Sequence, residues 1–195
     1  FYIENIVPFW ENNNLHITND IGTSFIINWD IPKNGGSEII KYLVEVNHSN
    51  ITQNFDTNTN LMIFNSEPNI NYTIKIIAIN EVGTSENLII EYTSIKILPY
   101  WSNLYLNCNL IDHNNLEITW NYPNSGGRKL THFKLILDNK NKIEIIETWK
   151  TKYIFKNLLL DINYPCQIVL YAGCFDKKMH WSLSNIKDIN LDTLM

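Results

Sequence analysis

The chain has 195 residues, 45% of them hydrophobic and 18% charged, with a formal net charge of −5. This is enough apolar material for packed cores, which excludes a disordered polyelectrolyte, and the acidic balance excludes nucleic acid, whose partners carry a basic footprint. No apolar run reaches the roughly 18 residues of a membrane-spanning helix, so no direct membrane insertion is expected within this fragment.

Taken in chain order, apolar and polar residues alternate with period two. Strands are expected near 14–18, 23–30, 39–47, 51–55, 60–64, 70–80 and 87–97. Phe25, Ile27 and Trp29 point one way while Ile26 and Asn28 point the other; Tyr72, Ile74, Ile76 and Ala78 alternate with Thr73, Lys75 and Ile77. Such runs, rich in β-branched and aromatic residues, are the mark of half-buried strands. Pro32-Lys33-Asn34-Gly35-Gly36 and Asn80-Glu81-Val82-Gly83 supply turns between them. A second series follows near 103–110, 115–121, 130–138, 142–147, 151–155, 162–173 and 181–190. Here Leu116, Ile118 and Trp120 alternate, as do Tyr164, Cys166, Ile168 and Leu170. No stretch holds a helical period, so helix content is expected to be close to nil.

The two series are one pattern written twice. Trp29-x-x-Pro32-x-x-Gly35-Gly36 returns 91 residues later as Trp120-x-x-Pro123-x-x-Gly126-Gly127. Pro8, Trp10 and Tyr42 return at the same offset as Pro99, Trp101 and Phe133, and Asn71-Tyr72 returns one residue later as Asn163-Tyr164. Constant register over this length means a duplicated domain, divided as 1–98 and 99–195. The fold class expected is all-β: two tandem seven-stranded immunoglobulin-like β-sandwiches. Composition is also skewed, with about thirty Asn and thirty Ile against two Ala and one Arg, which reads as an AT-rich genome such as a protozoan's. The opening residue, Phe1, reads as the start of an excised fragment.

These residues resemble the fibronectin type III family. The strand-B Trp is Trp29, with Pro32 in the next loop and the strand-C aromatic at Tyr42. The strand-F pattern Y-x-V-x-V-x-A-x-N-x-x-G-x-S appears as Tyr72, Ile74, Ile76, Ala78, Asn80, Gly83 and Ser85. The second copy keeps Trp120, Pro123, Phe133, Leu158 and Tyr164 but replaces the N-x-x-G turn with 173–180, and Ser66 stands where Leu158 has its family Leu. The resemblance implies a structural core of Trp29, Tyr42, Tyr72, Trp120, Phe133 and Tyr164. Tyr72 and Tyr164 fit tyrosine corners, with the ring inward and the hydroxyl on nearby backbone. Between the copies, 94–101 has no Gly and no Ser-rich run, so a semi-rigid elbow is expected.

Candidate sites are few. His16, His48, His113, His132 and His180 are dispersed, and no metal, phosphate-loop or nucleophile motif is present, so neither an enzyme nor a cofactor is expected. Cys108 and Cys166 fall on apolar faces and read either as buried thiols or as an inter-sheet disulfide; Cys174 is left over. Trp10, Trp101 and Trp149 are further binding candidates, with packing at a domain edge the expected reading of each. Trp181-Ser182-Leu183-Ser184 resembles half of the W-S-x-W-S motif of cytokine receptors, without its second Trp. Asn47-His48-Ser49, Asn50-Ile51-Thr52 and Asn71-Tyr72-Thr73 match the N-linked acceptor pattern; in so Asn-rich a chain such matches arise by chance, and Asn71 adjoins the corner Tyr72, a crowded place for a glycan. Arg128 and Lys129, with Phe175, Lys177, Lys178 and Trp181, are expected to gather at one loop end of the second copy as a partner-binding patch. The expected function is binding of a protein partner or adhesion, extracellular or at the cell surface. The alternatives are a structural spacer, an intracellular scaffold or a cytokine-receptor-like ectodomain.

Overall fold

The alternation written into the sequence becomes seven antiparallel strands in two sheets, then the same order again with an eighth strand added where seven were expected. The computed structural model describes residues 4–112, 114–139, 142–157, 166–176, 178–183 and 187–189. At 138–139, 142–147, 166–171, 174–176, 178–183 and 187–189 it describes the backbone alone. The chain divides into two compact units, Phe1–Lys96 and Ile97–Met195.

In the first unit β1 (Leu15–Thr18), β2 (Ser24–Trp29) and β5 (Leu61–Asn65) form one sheet in the order β1-β2-β5. The facing sheet runs β4-β3-β6-β7, from β3 (Lys41–His48), β4 (Ile51–Thr57), β6 (Asn71–Ile79) and β7 (Leu88–Thr93). Every second residue of β2 and β6 is buried, so Phe25, Ile27 and Trp29 meet Tyr72, Ile74, Ile76 and Ala78 between the sheets. Burial of this apolar area, at roughly 25 cal/mol per Å², holds the layers together.

The second unit repeats the plan. β8 (Leu106–Asp112), β9 (Asn115–Trp120) and β12 (Lys152–Phe155) form the three-stranded sheet. The other is β11-β10-β13-β14, from β10 (Lys129–Asn139), β11 (Lys142–Thr148), β13 (Cys166–Asp176) and β14 (Lys178–Leu183); β15 (Lys187–Ile189) also pairs with β13. Its core gathers Leu116, Ile118, Trp120, Phe133, Leu135 and Phe155. Among the described residues no helix is long and apolar enough to cross a membrane.

Two details of the duplication have physical causes. Gly35 and Gly126 have φ of 67° and 64°, a region that L side chains rarely adopt. At each, a Cβ would collide with a carbonyl oxygen, that of Ile6 or Ile97. A lead-in segment crosses the turn there: Ile6 N–H donates to the Gly35 carbonyl (2.8 Å), and Ile97 N–H to that of Gly126 (3.0 Å). Phe9 then bridges to Lys33, and Tyr100 to Asn124. Glycine recurs because backbone must pass against backbone.

The register of β13 departs from the repeat. Tyr42 faces Ala78 across β3 and β6, and its counterpart Phe133 faces Ala172, 94 residues after Ala78 rather than 92. Ile168 therefore takes the rung of Ile74, and Cys166 begins the strand where Tyr72 stands in the first unit. Tyr164 lies outside the described residues. The strand expected to end at 173 continues through Asp176 and pairs at once with β14, with Asp176 opposite Lys178. A register shift between Leu130 and His132 in β10 accompanies this extension. The unlike segment of the second copy is thus a β-hairpin rather than an open turn.

Candidate functional site

The residues expected to make the core are deep. Trp29, Tyr42, Tyr72, Trp120 and Phe133 are all buried. Trp29 packs edge-on against Tyr42 with ring centres 5.3 Å apart, and Trp120 against Phe133 at 5.6 Å. Among the described residues neither indole N–H finds a hydrogen-bond partner, so both rings act through area and shape. Tyr72 makes its corner, its hydroxyl oxygen accepting from Glu67 N–H at 2.8 Å. Burial pushes the Tyr72 phenol above its ordinary pKa, as it does that of Tyr42.

Asn80 organises the turn after β6. Its side-chain oxygen accepts from Val82 N–H (2.9 Å) and Gly83 N–H (3.0 Å), and its amide nitrogen donates to the carbonyls of Ile6 and Asn34, both at 2.8 Å. The side chain thereby ties together the lead-in, the β2–β3 connection and the β6–β7 turn. All four bonds an amide group can make are formed in a buried place. Ser85 completes the turn by accepting from Ala78 N–H and donating to the Glu86 carbonyl.

The second unit has no Asn at this turn, yet the matching carbonyl is satisfied. Ile97, the counterpart of Ile6, accepts from Arg128 Nε at 2.8 Å. Arg128 stands where the first unit has the buried Ser37. Its backbone repeats the turn bond: Arg128 N–H reaches the Ser125 carbonyl (3.1 Å) as Ser37 N–H reaches that of Asn34 (3.2 Å). One residue expected to bind a partner therefore also stitches its own unit.

Of the remaining candidates, Lys129 is exposed at the start of β10. Backbone register places Lys129 opposite Phe175, which faces Met179, and Gly173 opposite Trp181. Residues 129, 175, 178 and 181 thus share one end of three neighbouring strands. Lys177 and the side chains of Phe175, Lys178 and Trp181 lie outside the described residues. Cys108 is buried on β8, opposite Ile118. The disulfide expectation turns on the side chain of Cys166, outside the described residues, as is that of Cys174.

Trp149 corrects an expectation. Trp10 and Trp101 are half-buried at unit edges, donating through Nε1 to the carbonyls of Glu86 and Asn121, each at 2.9 Å. Trp149 instead is 70% exposed. It lies in the tight β11–β12 turn, past the last paired residue, Thr148, so no second sheet layer covers it. Lys150 Nζ sits 5.5 Å from its ring centre. Tyr122, in the β9–β10 connection, is exposed as well and rests edge-on against Phe133 at 5.7 Å. The Thr151 carbonyl accepts from Trp120 N–H (3.0 Å), which brings the β11–β12 turn to the end of β9. Trp149, Tyr122 and Lys129 therefore share the end occupied by the β13–β14 hairpin.

At the opposite end of the first unit, Asp20 gathers three donors: Gly22 N–H (2.6 Å) on one oxygen, and the Tyr92 hydroxyl (2.6 Å) and Ile95 N–H (2.8 Å) on the other. Burial, and then the bond to Asp20, push the Tyr92 phenol from the ordinary 10.0 up to about 12. Folding thus favours the protonated phenol. The stability this contributes is whole below about pH 10 and is lost as pH rises toward about 12. Spectrophotometric titration should show tyrosines ionising late, Tyr92 among them, and Tyr92→Phe should lower the late amplitude by one tyrosine. An unchanged curve would refute the assignment.

Among the described residues no group of three His, Cys, Asp or Glu side chains is placed to hold a metal ion. Residues 11–91 match the fibronectin type III domain family. The whole fold is similar to the FN1–FN3 domains of chicken CNTN1, at 15% identity and a TM-score of 0.51, covering 93% of this chain and 67% of that one. A two-domain fibronectin type III segment of chicken tenascin aligns at 12% identity and a TM-score of 0.45, covering 93% of this chain and 99% of that one.

Proposed function

We propose, from the premise that residues 11–91 are a fibronectin type III domain, that the chain is a non-enzymatic tandem module that binds another protein, in adhesion or reception outside the cell or at its surface. Domains of this family serve in general as binding or spacing units, and a shared sandwich does not by itself name a ligand. The observation that carries the reading is the exposed Trp149 at the loop end of the second unit. Beside it stand exposed Tyr122 and the cations Lys129 and Lys150. Exposed aromatic side chains on loops carried by a rigid strand scaffold, with cations at the same end, have the composition of binding hot spots.

The test is adhesion of cells to surfaces coated with the whole chain. Trp149→Ala with Tyr122→Ala is expected to lower adhesion at least about tenfold, the effect of a lost hot spot, while leaving the melting temperature unchanged. Trp181→Ala tests the neighbouring hairpin. Arg128→Ala is a poor probe, since it also strips the Ile97 carbonyl of its donor. Full adhesion by all these variants would sink the binding reading and favour a spacer that holds other domains apart.

A further inference from the structure

All three acceptor sequons lie on one edge of the first unit, where the β3–β4 hairpin meets the start of β6. A groove of about 530 Å³ there is lined by Asn47, Asn50, Thr52, Asn71 and Thr73 among others. We propose that Asn50 and Asn71 carry N-linked oligosaccharides and that Asn47 does not. The inference rests on the extracellular reading above.

The three asparagines differ in what their amides are already doing. Asn47 lies within β3, near the end of its ladders, paired with Thr52 on one side and Thr73 on the other, and is only partly exposed. Its Nδ2 donates to Glu45 Oε1 at 2.8 Å and its Oδ1 accepts from the Thr52 hydroxyl at 2.5 Å. A sugar on that nitrogen would displace a bond and crowd two neighbouring strands. Asn50 occupies the second position of the two-residue turn Ser49-Asn50, at φ 46° and 66°, beyond the last pair, His48 and Ile51. It is exposed, and among the described residues its amide nitrogen has no partner. Asn and positive φ suit this hairpin turn, which projects the residue away from the sheet.

Asn71 opens β6 and is exposed, while the next residue, Tyr72, turns into the core. The period-two alternation therefore removes the crowding that adjacency in sequence suggests. Among the described residues Asn71 uses only its oxygen, accepting from the Thr93 hydroxyl at 2.6 Å. Glycosylation joins the amide nitrogen to the anomeric carbon of an oligosaccharide delivered on a lipid pyrophosphate. The carbon–oxygen bond to the pyrophosphate breaks, its electron pair leaves with the lipid pyrophosphate, and the nitrogen loses one proton. The side-chain oxygen is untouched, so the Thr93 bond survives. Both sequons end in Thr, Thr52 and Thr73, and the amide- and hydroxyl-lined groove offers partners to the first sugars.

The experiment has two arms. The 195-residue chain is secreted from cultured animal cells behind a foreign leader, and the native chain is recovered from the cells that make it. Both are compared by intact mass before and after an amidase that releases N-linked sugars and leaves Asp. Secreted wild type is expected to lose two oligosaccharides; Asn50→Gln and Asn71→Gln lose one each, and Asn47→Gln still loses two. Recovery of the variants from the medium at the wild-type yield shows that they fold. Bare Asn50 and Asn71 in the secreted chain, or sugar on Asn47, would overturn the inference itself. Sugar on the secreted chain but none on the native one would overturn the extracellular reading, and with it the modification in the cell.

Discussion

Replacing Trp29 by Ala is expected to unfold the first unit at or near room temperature. The side chain is buried between the sheets and packs edge-on against Tyr42. Truncation of a core Trp costs roughly 3–5 kcal/mol through lost transfer and a cavity, and small domains hold about 5–15 kcal/mol in all. Because the indole N–H has no partner among the described residues, the loss is one of volume. Trp29→Phe should therefore cost much less, roughly 1–2 kcal/mol, since the smaller aromatic keeps most of the packing. Trp120 makes the same contacts with Phe133, and Trp120→Ala should act on the second unit in the same way. Urea denaturation of the full chain should then show one transition lost and the other kept. Equal costs for Phe and Ala at position 29 would contradict this account.

The second large effect is expected at Asn80. Asn80→Ala leaves the carbonyls of Ile6 and Asn34 and the N–H groups of Val82 and Gly83 without their shared partner. Buried groups stripped of hydrogen bonds cost about 1–3 kcal/mol each, less where water enters, so a total of roughly 3 kcal/mol is reasonable. Asn80→Asp is the sharper test. The carboxylate keeps the two acceptor bonds but sets a negative charge against two carbonyl oxygens. Its folded pKa should lie above the ordinary carboxylate value, so this variant should gain stability as pH falls, relative to Asn80→Ala. Thermal melts at neutral and mildly acidic pH would show it; parallel pH profiles for the two variants would exclude the bonding scheme.

Much of the sandwich was legible because burial imposes period two on residues with strong side-chain preferences. Trp29, Tyr42 and Tyr72, and their counterparts Trp120 and Phe133, announce themselves by type and spacing. The register of β13 was not legible. Tyr164 matches Tyr72 in sequence, but the partner strand decides alignment, and Phe133 meets Ala172. The hairpin at 173–183 was hidden for a related reason, since Gly173 and Asp176 look like turn residues until β14 pairs with them. At the loop end, Arg128 and Lys129 drew notice as cations beside a Gly-Gly turn, but the carbonyl that Arg128 serves lies 31 residues away. Trp149 was expected at a packed domain edge because a Trp usually seeks cover; the signal against it was its place next to Lys150, just past the end of a strand.

The carbonyl of Ile6 and its counterpart at Ile97 bear on how such units can be recombined. In one unit the donor arrives from the turn after β6, in the other from the residue just after the Gly-Gly pair. A chimera that moves the 173–183 hairpin into the first unit discards Asn80 and strands the lead-in, unless Ser37→Arg travels with it. The inheritable block is therefore discontinuous, made of lead-in, inter-sheet turn and hairpin together. Replacing the donor-bearing segment alone leaves an orphaned oxygen at the seam.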